Sequence, residues 1–422
     1  MPRPRASSHP LLLLALAFLL CPLSALAAKL SEAFETPYNL SASRILPPEL
    51  LSGPHHRVEE QVENDGYMNT YRVRSRYGPY RVVSTALLAV RVREFEAMAA
   101  MDKVAGGEQF GKSVLEGGES VLKGVANLVT SPVETLESAA SGVGKLFARA
   151  EEGISGSPPS NHEDSTGAKL TGFASTRRAL AVAFGVDPYT TNEPLRKRLS
   201  DLAAAGYTGQ LTSMGLKALI PGGVGLAVSG VSSVNWLGEV DLAQPPSDLR
   251  MKNRADLERL KTPSGPATAF MDNREYTPTQ QTLTVRALSA MGGPGGLDVF
   301  LRLAASTENQ DQALFRTRMA RMYAGYARKV DALKGFVALG RLAGAKAASG
   351  RLVLCFPLDH LCWTPDVARL ATDIEAGRER VGAGPVELWV TGTVSQKVRS
   401  LFAARGWTVH EKAGKELLDE DF

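Results

Sequence analysis

The chain has 422 residues, 44% of them hydrophobic and 7% aromatic, with 48 basic against 44 acidic side chains for a net charge of +4. So small a charge gives no reason to expect a nucleic-acid partner, and the apolar content suffices for one large core or two to three smaller ones. With few aromatics, Ala, Leu, Val and Gly do most of the filling, which favours closely packed helices.

Arg3 and Arg5 precede the apolar run Leu11 to Leu20 and the small-residue cluster Ser24-Ala25-Leu26-Ala27-Ala28. This is the charged, apolar, small order of a secretory signal peptide, with cleavage expected after Ala27 and residues 1–27 removed. Cys21 follows Leu20, not the small residue a lipoprotein site would want. The expectation is an exported chain, periplasmic or extracellular, whose charge falls from +4 to +2 when Arg3 and Arg5 are lost.

Residues 28–150 read as a small antiparallel β-meander followed by amphipathic helices. Lys29 to His56 is an extended lead-in. Val58 to Glu63, Asn69 to Tyr77 and Tyr80 to Ser84 are expected strands, separated by the turn formers Asn64-Asp65-Gly66 and Gly78-Pro79. In the middle strand Tyr71 and Val73 share one face, while Arg72, Arg74 and Arg76 share the other. An arginine row could hold phosphates, but charge on an open sheet face usually keeps it wet and unpaired. Adjacent His55 and His56 would alternate faces and could not easily share a metal. Thr85 to Lys103 has Leu88, Val92, Phe95 and Met98 at helical spacing.

A stripe of Phe110, Val114, Val121 and Leu128 follows, then, after Ser131-Pro132, Val133, Leu136, Val143 and Phe147. These amphipathic helices are candidate contacts for a partner protein or an envelope membrane surface, although the balanced charges beside the stripe favour helices that simply cover a core over a membrane-surface face. Residues 151–168, rich in Gly, Ser, Pro and acids, are the expected linker.

Residues 169–348 are expected to form a helical domain: Leu170 to Phe184, a helix from Pro194, a polar helix from Pro246 to Leu260, and Gln281 to Met291 launched by a capping box at Thr277 and Gln280. Leu297 to Ala305, a helix through Val330 opened by Thr307 and Gln310, and Lys334 to Ala347 complete the bundle. Within it, residues 202–238 carry Lys217 as their only charge. Ala218 to Leu237 is long enough to span a bilayer, but Pro221 and four glycines break it, so a buried hairpin bent at Pro221-Gly222-Gly223 is expected. A membrane-inserting effector is the alternative for that stretch.

Residues 349–422 alternate strand and helix: Leu352 to Phe356, a helix capped by Thr364, Val386 to Val390, a helix capped by Ser395, and Trp407 to His410. That order is a small parallel βαβαβ unit packed on the bundle. The fold class expected is thus α+β, mainly α. Cys355 and Cys362 form a disulfide or two buried thiols. In parallel α/β units ligands sit beyond the carboxyl ends of strands, where Asp359 and His360 are weak candidates for an acid/base pair, with Trp363 as a stacking wall and Thr391 or Thr393 as donors. Cys355, His360 and Cys362 lack a fourth zinc ligand, so no metal and no cofactor is expected. No nucleophile elbow, zinc-protease helix or phosphate loop occurs. An enzyme is therefore the alternative to a non-catalytic exported protein.

The phrases Gly185-Val186-Asp187-Pro188-Tyr189-Thr190-Thr191-Asn192, Asn253-Arg254-Ala255-Asp256-Leu257, Tyr276-Thr277-Pro278-Thr279-Gln280-Gln281-Thr282 and Pro357-Leu358-Asp359-His360-Leu361-Cys362-Trp363-Thr364-Pro365 resemble a family of exported bacterial proteins of uncharacterised role. The resemblance covers about Leu170 to the end. It implies a bacterial, exported origin and no particular activity.

Overall fold

The computed structural model describes residues 33–105, 160, 163, 173–208 and 239–420, and within them the chain is mixed α/β. The N-terminal sheet is built on β5 (Asn69–Ser75), in which buried Asn69, Tyr71 and Val73 alternate with residues facing out. Its partner β6 (Gly78–Val83) begins at Gly78, so the turn falls at Arg76-Tyr77 and not at Gly78-Pro79. The strand expected over 58–63 is split into β3 (His56–Val58) and β4 (Gln61–Asn64), both antiparallel to β5. The split sits where Glu60 O accepts Ala42 N at 2.8 Å, tying the lead-in to the sheet.

That lead-in is not simply extended. It holds β1 (Leu40–Ser41), the single-turn helices α1 (Ala42–Ile45) and α2 (Pro48–Leu51), and β2 (Ser52–Gly53). Proline at the first position of α2 needs no N–H there, which suits a one-turn helix. Helix α3 (Thr85–Ala105) covers the sheet with Leu88, Val92, Phe95 and Met98 fully buried. Two later helices, α4 (Phe173–Ala183) and α5 (Glu193–Thr208), join this first core through Leu180, Leu195, Leu199 and Leu202.

The second core combines helices and a mixed sheet. Helices α6 (Pro246–Arg259), α7 (Ser264–Met271), α8 (Pro278–Ala290), α9 (Leu297–Ala305) and α10 (Gln310–Lys329) lead into it. Thr277 and Gln280 form both bonds of the capping box at the start of α8. Helix α10 is capped by Asn309, whose side chain accepts from Gln312 N, and not by Thr307. Thr307 is instead bonded to the Tyr276 hydroxyl at 2.9 Å.

The sheet has the order β13-β11-β9-β8-β7. Strands β9 (Leu352–Phe356), β11 (Val386–Val390) and β13 (Thr408–His410) are parallel, joined by α11 (Pro365–Arg380) and α12 (Gln396–Ala404). The helix expected over 334–347 is an antiparallel hairpin, β7 (Leu333–Leu339) and β8 (Leu342–Ala347). Ala and Leu there suggest a helix, but the segment pairs as a strand, with Ala343, Ala345 and Ala347 sharing one buried face. Gly340 at φ 62° makes the tight turn between the two strands. A last short helix, α13 (Gly414–Leu418), lies on α10, where Gly325 has no room for a side chain: a Cβ there would stand 2.0 Å from Leu417 O.

Among the described residues no helix is long and apolar enough to cross a membrane. The stripe from Phe110 to Phe147, with Val114, Val121, Leu128, Val133, Leu136 and Val143, lies outside the described residues, as do the leader 1–27 and residues 209–238.

Candidate functional site

Strands β9 and β11 end side by side at Phe356 and Val390, and the loops that follow are laced together. Gly392 N donates to Leu358 O at 2.8 Å, Thr393 N to Asp359 O at 3.0 Å, and the Thr391 hydroxyl to Leu358 O at 2.9 Å. A Cβ on Gly392 would fall 1.8 Å from Asp359 O, so only glycine permits this approach. The loops continue as a two-stranded parallel extension, β10 (His360–Leu361) with β12 (Thr393–Val394).

Above these loops a cleft of about 550 Å³ opens between the two cores. It is lined by Asp359, His360, Thr391 and Thr393 from the loops and by Asn69, Tyr71 and Thr85 from the N-terminal sheet and α3. Arg44, Arg318, Lys412 and Lys415 bring cationic side chains to it. Arg318 is committed to Glu420 by a two-pronged buried ion pair, 2.8 Å on each prong. The cleft lining therefore holds more positive side chains, Arg44, Arg318, Lys412 and Lys415, than negative ones, Asp359 and Glu420.

Asp359 and His360 both line the cleft, but their side chains serve different partners. The Asp359 carboxylate accepts from Asn69 N at 3.0 Å and from Thr85 N at 3.1 and 3.2 Å. Burial raises its pKa above the ordinary carboxylate value, against the pull of those amides. Its oxygens are thus engaged in fastening β5 and the start of α3, where a carboxylate also suits the helix dipole. His360 Nδ1 lies 2.8 Å from the Thr393 hydroxyl and Nε2 lies 3.3 Å from the Tyr38 hydroxyl. Burial lowers its pKa, so the ring is neutral at pH 7 and can exchange hydrogen bonds with a ligand only by releasing a partner. Trp363 is not part of the cleft. It packs edge-on against Phe402 at 6.0 Å, under the Arg405 guanidinium.

Of the two readings for Cys355 and Cys362, the structure has two free, buried thiols and no disulfide between them. Cys355 sits inside the central strand β9, and its thiol pKa is pushed far up by burial and by Glu387. Cys362 lies beyond the strand end and points at Asn64 Oδ1, 3.7 Å away, its pKa pushed up to about 11 by burial. Among the described residues no cluster of His, Cys, Asp and Glu is placed to hold a metal. The arginine row is a charge-paired exposed face: Arg72 bonds Glu63, and Arg74 Nε lies 2.8 Å from Glu59.

Sequence reasoning placed the site at the ends of β9 and β11 but missed Arg44, Arg318, Lys412 and Lys415. They come from three separate segments, α1, α10 and the stretch from Lys412 into α13, and nothing in their local sequence marks them. No family model, no curated protein and no solved structure matches this chain.

Proposed function

We propose that the chain is an exported, non-catalytic binding protein whose cleft takes a small anionic ligand. One observation carries this reading. A 550 Å³ cleft lies at the carboxyl ends of adjacent parallel strands and collects Arg44, Lys412 and Lys415 around hydroxyl donors. That volume is in the range of small-molecule sites, and the position is the one that open α/β sheets use for ligands. The engagement of Asp359 with backbone amides supports binding over acid/base chemistry. The export part of the reading rests on the sequence of residues 1–27.

Thermal denaturation at constant ionic strength with inorganic phosphate, pyrophosphate, citrate or adenosine monophosphate tests the cleft. At least one of these anions should raise the melting temperature saturably, and the double variant Lys412→Gln/Lys415→Gln should weaken that response at least tenfold. Constant ionic strength separates binding from general screening. No saturable response to any of these anions would remove the reading.

A further inference from the structure

A second cavity lies within the second core and has a different chemistry. The β7–β8 hairpin is paired along its whole length, but β8 meets β9 only at Ala345 with Val353 and Lys346 with Leu352. Beyond those two pairs the strands part. The Tyr323 hydroxyl sits at the fork, 3.3 Å from Ala343 O and 3.4 Å from Val353 O. Beside this split is a cavity of about 110 Å³, lined by Leu342, Leu354, Phe356, Ala371 and Ile374 among other apolar side chains. Tyr67 and Trp407 also line it, but their polar atoms are taken by Asp366 and Glu375.

Arg316 is the exception in that lining. Its Nε is buried without a hydrogen-bond partner, Nη1 reaches only the Met319 sulfur at 3.8 Å, and the guanidinium stacks on Phe315 at 5.6 Å. Among the described residues no carboxylate pairs with it, in contrast to Arg318 and Arg321, which share Glu420. Burial depresses its pKa, yet a guanidinium remains charged. Arg316 is part-buried, so its guanidinium has lost some hydration without gaining a counter-charge, and an arginine fork is the natural partner of a planar carboxylate.

We infer that this cavity binds a short-chain monocarboxylate, its carboxylate on Arg316 and its alkyl chain against Leu354, Phe356 and Ile374. The size sets the chain length. A dry 150 Å³ cavity accepts a six-carbon ring, so 110 Å³ suits ~4 to 5 carbons. The two sites are independent: the cleft takes its ligand on lysines and hydroxyls at the strand ends, and this one takes an apolar chain between the sheet and α11.

Calorimetric titration of the full chain with acetate, propionate, butyrate and pentanoate tests it. Affinity should rise about fourfold for each added methylene and stop rising once the cavity is full. Arg316→Met should weaken pentanoate at least tenfold while leaving the binding of neutral 1-pentanol within twofold. Ala371→Leu fills the cavity from α11 and keeps Arg316, so it should abolish binding of both probes in a chain that still denatures cooperatively. Absence of saturable pentanoate binding to the wild type overturns the inference. So does undiminished pentanoate binding by either variant.

Discussion

The carboxylate of Asp359 accepts the backbone N–H of Thr85 with both oxygens, at 3.1 and 3.2 Å, across 274 residues of sequence. With the bond from Asn69 N, one side chain at the end of β9 fixes the first turn of α3 and the start of β5. It joins the two cores and forms part of the cleft wall. Asp359→Ala leaves two amides without their acceptor in a buried site, a loss of about 3 kcal/mol. Asp359→Asn keeps one acceptor oxygen and should fall between the alanine variant and the wild type. Urea denaturation of the three proteins checks that order; equal midpoints would show that the amides find other acceptors.

Thr277→Ala removes the side chain that accepts from Gln280 N at 3.1 Å and leaves the reciprocal bond from Thr277 N to Gln280 Oε1 in place. Caps of this kind are worth about 1 kcal/mol. Unfolding free energies from urea denaturation of Thr277→Ala and Thr277→Ser should differ by that amount, with serine close to wild type. If alanine and serine behave alike, the cap does not contribute.

That cap also shows what could be read from the sequence. Local chemistry was legible wherever one segment held the whole signal: Thr277 with Gln280, Thr364 before Val367, Ser395 before Val398. The hairpin β7–β8 was not, because Ala, Leu and Gly fit helix and strand alike until burial shows which period holds. The candidate site was half legible. The parallel strand order points to Asp359 and Thr391, but Arg44 and Lys412 reach the same cleft from segments far apart in the chain, and only the folded path brings them together. Asp359 itself was a candidate for chemistry because its donors were invisible; the amides that occupy it belong to Asn69 and Thr85.

Free thiols at Cys355 and Cys362 carry a direct consequence. Denaturation in guanidinium without reductant should expose both to a thiol reagent, giving one equivalent for each of Cys355 and Cys362. In the native protein the reaction should be slow at pH 8, since both are buried and the Cys362 thiol is pushed up to about 11. Peptide mapping that finds Cys355 and Cys362 joined would contradict this.

Gly325→Ala tests the seat of the C-terminal helix. The added Cβ would lie 2.0 Å from Leu417 O, a backbone atom that can move only by shifting α13 off α10. Such overpacking costs about 1–3 kcal/mol, and the same shift would loosen Glu420 from Arg318. Crystallography of the variant should show α13 displaced, with melting lowered in parallel.

Asp187 provides the clearest dependence on pH. It is buried, and burial, reinforced by nearby Glu94 and opposed by bonds from Tyr189 N and Thr279, raises its pKa to about 6. Because the native state holds this proton more tightly than the unfolded chain, the stabilisation is complete below about pH 4 and is lost as pH rises to about 6, then stays flat. The span corresponds to about 3 kcal/mol. Both bonds, from Tyr189 N at 2.9 Å and from the Thr279 hydroxyl at 2.8 Å, end on Oδ1. The amide oxygen of Asp187→Asn can accept them both without an ionised form to desolvate. The variant should therefore match the wild type near pH 4, exceed it at pH 7, and lack the decline between. Unfolding free energies measured from pH 4 to 7 decide the matter: parallel profiles for the two proteins would mean that Asp187 is ionised throughout and that the decline has another source.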